Sequence, residues 1–127
     1  MMRATLCLAL LLLPACSTVL PAQTAAAHAA QALRWERQFK ACALAYVDRY
    51  PSAQAAANQA QQAVAVCSAV LSAYQLRQRD TYLASQQSGD DDTAWAQASA
   101  DGRRLEQATL ALVQLHVERA VAHPALP

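Results

Sequence analysis

With 127 residues the chain has room for one domain, and its 55% apolar content is largely Ala, which buries little surface, so any core is thin for the length. A formal charge of +1, carried on nine Arg, one Lys and nine carboxylates with no basic face, excludes the electrostatic footprint of a nucleic-acid binder and a polybasic membrane patch. Only Gly89 and Gly102 occur, so tight turns are few; Ala, Leu, Gln and Arg favour long helices over a many-stranded sheet.

The chain opens as an address. Arg3 supplies a short positive region, and Leu6 to Leu13 is almost purely apolar. That stretch is too short for a stable bilayer anchor and fits a secretory signal over residues 1–15. Pro14 and Pro21 argue against a buried N-terminal helix. The run Leu13-Pro14-Ala15-Cys16 resembles the lipobox of bacterial lipoproteins. The resemblance covers the first sixteen residues and implies that Cys16 becomes the first mature residue, is acylated, and anchors the protein to a membrane. By the same analogy Ser17 implies the outer membrane, facing the periplasm. A competing cleavage at Thr24-Ala25-Ala26 or Ala25-Ala26-Ala27 gives a soluble periplasmic protein beginning near His28.

Residues 16–24 then read as a tether, and residues 25–123 as the helical domain. The first helix is predicted over Ala25 to Arg49, with Thr24 as N-cap. Trp35, Phe39, Cys42, Tyr46 and Arg49 recur at steps of four and three, which makes one stripe. Arg34, Lys40 and Asp48 fall opposite, and Tyr50 before Pro51 ends the helix. A second helix is predicted from the Ser52 N-cap to about Gln87, closed by Gly89, with a break near Asp80 as an option. Its inner stripe is Ala56, Ala60, Ala63, Cys67, Val70 and Tyr74, widened by Val64, Val66 and Leu71. Asp90, Asp91 and Asp92 lead into a third helix from Thr93 to Ala122, where carboxylates satisfy free N–H groups and oppose the helix dipole. Trp95, Leu105, Leu110, Leu112, Val113, Leu115, Val117 and Val121 are assigned to its inner face, and residues 124–127 to a loose tail.

Four Cys occur. Cys7 lies in the signal and Cys16 is the lipid acceptor that the resemblance implies, which leaves Cys42 and Cys67 to pair in an oxidising compartment. Such a bond closes a loop whose chain-entropy contribution is about 3.5 kcal/mol. No His or Cys lies at zinc-site spacing from either one, and they do not form a Cys-x-x-Cys redox pair. A straight hairpin turning at Pro51 sets Cys42 opposite a residue near Gln61, an axial mismatch with Cys67 of roughly 9 Å. A disulfide needs Cα atoms within about 7 Å. Residues Ala53 to Asn58 are therefore expected to leave the helix or lengthen the loop. The expected fold is all-α: an Ala-rich three-helix up-down-up bundle with one inter-helix disulfide, its aromatic cluster formed by Trp35, Phe39, Tyr46 and Tyr74.

Chemistry-bearing patterns are sparse. The Asp90–Asp92 run lacks the alternating ligands, central Gly and distal Glu of a calcium loop. His116 and His123 stand two turns apart, too far for easy chelation of one ion. No phosphate loop or nucleophile elbow is present, so no metal, cofactor or catalytic residue is expected. Tyr50, Tyr74, Tyr82 and Trp95 are candidates for a binding groove, with gap-filling between Ala-lined helices as the alternative. Arg77, Arg79, Arg103 and Arg104 are candidates for a recognition face, with scattered solvated Arg as the alternative. Residues Trp35 to Tyr82 resemble, in Cys spacing and Ala content, small two-cysteine helical exported proteins of proteobacteria, which supplies no function. The expected role is a non-enzymatic envelope lipoprotein that contacts a partner protein or its own copy. The alternatives are an inhibitor or immunity protein against a wall-degrading enzyme, and a small-ligand carrier.

Overall fold

The structure is a computed structural model that describes residues 21–85, 87 and 89–123. The expected signal, Cys16, the first part of the tether and the tail 124–127 lie outside these residues. Four helices form the described chain: α1 (Pro21–Arg49), α2 (Ala56–Val66), α3 (Ser68–Ala84) and α4 (Asp91–Ala122). No strand occurs among the described residues. The all-α expectation stands, while the expected three helices are four, because the long second helix is broken at Cys67 and not near Asp80.

Local chemistry accounts for most helix ends. Pro21 occupies the first position of α1, where a backbone N–H has no helical partner to lose. Residues 21–24, read from sequence as tether, thus belong to the helix. Ser52 was expected to cap the second helix. Instead its Oγ accepts the Gln54 N–H at 3.1 Å, and α2 begins four residues later, after Ala55, with no side-chain cap. The intervening loop is held by Gln59, a buried amide whose Nε2 donates to the carbonyls of Ser52 at 2.9 Å and Gln54 at 2.8 Å. This displaced start is the adjustment that the Cys42–Cys67 register demanded. α3 runs through Asp80 and ends at Ala84, before Gly89 is reached. At α4 the Asp90 carboxylate accepts the Thr93 N–H at 2.7 Å, so Asp90 is the cap; the helix begins at Asp91, two residues before the expected Thr93.

The buried set runs Ala32, Phe39, Ala43 and Val47 on α1, and Ala60, Ala63, Val64, Cys67 and Tyr74 on α2 and α3. Trp35, Cys42 and Tyr46 pack against it, giving the aromatic cluster expected around the disulfide; Arg49 of the same stripe is exposed. Lys40, assigned to the outer face, is half-buried through an ion pair with Glu36.

α4 turns inward a face of smaller residues than its apolar spacing suggests. Its inward face is Ala94, Ala98, Gly102, Leu105, Thr109, Val113 and Val117. Trp95, Leu112, Leu115 and Val121 are exposed, Val121 by 77%, and Val66 of α2 is also exposed. Helices approach closest where side chains are smallest, so Ala and Gly take the seam and larger neighbours turn outward. Buried Thr109 satisfies its hydroxyl by donating to the Leu105 carbonyl at 2.8 Å.

α1 packs chiefly on α3, and α4 packs on both α3 and α2. The half of the molecule around the disulfide is apolar. The half where α3 approaches the start of α4 is polar, with Tyr74 the one buried side chain of α3.

Candidate functional site

The Cys42–Cys67 disulfide joins α1 to the α2–α3 break, with Cα atoms 6.1 Å apart. Cys67 is 1% exposed, whereas Cys42 is half-buried. The helical stripes bring both sulfurs to the α1 seam, since Cys42 stands between Phe39 and Tyr46 and Cys67 between Val64 and Leu71.

Beyond the disulfide lies an open cleft of about 490 Å³, lined by Ser52, Ala56, Gln59, Val117, Glu118 and Val121 among others. The α2 start and the last turns of α4 form its walls. It is mainly apolar, with the buried Gln59 amide already spent on the loop carbonyls. Nearby, His116 Nε2 meets Asp48 Oδ1 at 2.7 Å and ties the end of α1 to α4. His116 therefore has a carboxylate partner, and it does not join His123 in a chelating pair. Among the described residues no group of three His, Cys, Asp or Glu side chains could hold a metal ion.

At the other half, α3 and α4 are joined by polar contacts that the sequence reading missed. The Tyr82 hydroxyl donates to Asp101, which also pairs with Arg104. Hydrogen bonding to that carboxylate, with desolvation beside it, pushes the Tyr82 phenol up to about 12. Tyr74 is raised as well, mainly by burial, and its oxygen accepts from Gln78 at 2.8 Å. A smaller hollow of about 230 Å³ opens here between Glu36, Lys40, Tyr74, Asp101 and Arg104. Its four charges are already paired within their own helices, Lys40 with Glu36 and Arg104 with Asp101. Arg79 Nε donates to Asp91 at 2.6 Å while its guanidinium lies 5.4 Å from the centre of the Trp95 ring, a cation–π contact that pins the exposed indole.

The candidate groove aromatics are therefore not brought together. Tyr74 is buried, Tyr82 and Trp95 sit on the polar seam, and Tyr50 packs against Tyr46 at the far end of α1, ring centres 5.2 Å apart. Of the candidate Arg face, Arg77, Arg79 and Arg104 are paired with Asp80, Asp80 and Asp91, and Asp101 respectively. Two signals in the sequence pointed to these contacts: the carboxylates Asp80 and Asp101, each three residues from an Arg at i,i+3 helical spacing. The cross-helix partners had none.

One exposed apolar surface among the described residues is the outer face of α4. Ala108, Ala111, Leu112 and Leu115 are exposed together there, at helical steps of three, one and three. No helix among the described residues is long and apolar enough to cross a membrane. No protein-family model, curated protein or solved structure matches the chain.

Proposed function

We propose that the chain is a non-enzymatic cell-envelope lipoprotein, anchored through Cys16, whose helical domain binds another envelope protein or a second copy of itself. The observation that carries this reading is the Cys42–Cys67 bond. A structural disulfide in a thin, Ala-lined domain fits an oxidising compartment, as the apolar leader does. Leu112 and Leu115 on the outer face of α4 supply the contact surface, flanked by Ala side chains that let a partner approach closely. Crosslinking intact envelopes and recovering the protein tests it. A reproducible adduct is expected, reduced about tenfold or more by the paired changes Leu112→Lys and Leu115→Lys with the helical fold kept. Failure to recover any reproducible adduct contradicts the contact role.

The cleft between α2 and the end of α4 favours a second reading, a carrier of a small apolar molecule. Native mass spectrometry of protein purified from its own envelope decides between them: a retained small molecule supports the carrier, and a bare chain removes it.

A further inference from the structure

Residues 56–84 have the pattern of one uninterrupted helix. They contain neither Gly nor Pro. Ala60, Ala63, Val64, Cys67, Val70, Leu71 and Tyr74 keep a single seven-residue phase through the point of the break. No helix-breaking residue therefore separates α2 from α3. Yet Cys67 sits at φ −90°, ψ 10°; its N–H still donates to the Ala63 carbonyl at 3.2 Å, but its own carbonyl takes the tighter bond from Val70 N–H at 3.0 Å and only a longer one, 3.4 Å, from Leu71 N–H. What distinguishes residue 67 from its neighbours is its bond to Cys42. A straight antiparallel course sets a residue near Gln61 beside Cys42. Bringing Cys67 there draws the chain along α1, and the irregular stretch 50–55 and the break absorb the displacement.

We propose that the Cys42–Cys67 disulfide bends this rod, and that its reduction lets residues 56–84 run as one straight helix, lifting α2 away from α4 and opening out the cleft between Gln59 and Val117. The cleft is then a property of the oxidised chain. α2 is seated mainly through Ala60, Ala63 and Val64, which bury little apolar area, so packing alone holds it weakly. The reductant is a dithiol. Its thiolate attacks the more accessible Cys42 sulfur, Cys67 leaves as a thiolate, and the second reductant thiol releases Cys42. Two electrons and two protons pass to the protein, and the reductant ends as its own disulfide.

The test uses the whole chain, labelled at Asn58 and Leu76 through ketone-bearing residues that leave the thiols untouched; both positions are exposed. A straight helix separates their backbones by about 27 Å. Oxidised protein should read shorter than this, and the same sample treated with a dithiol should approach the straight value. The Cys67 Cα chemical shift should move to that of a mid-helix residue at the same time. The paired variant Cys42→Ala and Cys67→Ala should match the reduced form without any reductant. The proposal is overturned if label distance and chemical shift stay put once alkylation shows both thiols free. It is equally overturned if reduction removes the helical signal at 222 nm, because the bond is then a staple and not a bend.

Discussion

Tyr82 and Gly102 show how single side chains hold α3 against α4. The Tyr82 phenol, held up to about 12 by its bond to Asp101, ionises in the unfolded chain nearer the ordinary value of 10.0. The unfolded state therefore releases its proton first. The bond's contribution is complete below pH 10 and is lost as pH rises through 12. Urea unfolding across this window should show a steeper fall in stability for the native chain than for Tyr82→Phe; parallel curves would remove Tyr82 from the seam. Gly102 faces α3 so closely that an added Cβ would stand 2.8 Å from the Cγ and Cδ of Gln75, with its amide nitrogen nearer still. A Gly-to-Ala change in a helix gains about 1 kcal/mol in propensity. Gln75 must move to allow it, so Gly102→Ala alone is expected to gain less. In a Gln75→Ala background the obstacle is gone and the full gain should appear in the urea midpoint. Equal effects in both backgrounds would show that Gln75 does not fill that space.

Helices were legible from the sequence where periodicity reports burial, and illegible where a distant partner decides. The stripe from Ala60 to Tyr74 and the Asp90 cap follow from spacing and from carboxylate chemistry. The break at Cys67 does not, since residues 56–84 hold no Gly or Pro to mark it; what singles out residue 67 is a bond to a residue 25 positions away. On α4, size misled. Leu112, Leu115 and Val121 were assigned inward by their apolar character, whereas close approach to α2 and α3 selects Ala94, Ala98 and Gly102. Trp95 was misplaced for a related reason: its ring is held by Arg79, on a helix that spacing alone could not align with it. The candidate groove failed similarly, because Tyr50 and Tyr82 lie at opposite ends of the bundle. The element-scale prediction concerns the disulfide. Replacing Cys42 and Cys67 together by Ala should lower unfolding free energy by about 3.5 kcal/mol, read by urea titration. A loss below about 1 kcal/mol would mean that the reduced chain is already constrained.

Taken whole, the molecule has an apolar half around the Cys42–Cys67 disulfide and a polar half laced through Tyr82, Asp101, Arg79 and Asp91. Phe39 and Val113 are among its largest fully buried side chains, which leaves a core of mostly small residues. A domain of this kind gains a large share of its stability from one covalent cross-link. That makes the oxidation state of Cys42 and Cys67, and the export that would allow it, the claim on which the proposed role turns. Intact mass of the protein recovered from cell envelopes, without reductant, reads both at once. The account predicts a chain that begins at Cys16, carries acyl groups and is two hydrogens lighter than its reduced form. A chain beginning at Met1, with both thiols free and recovered from the cytosol, would contradict it.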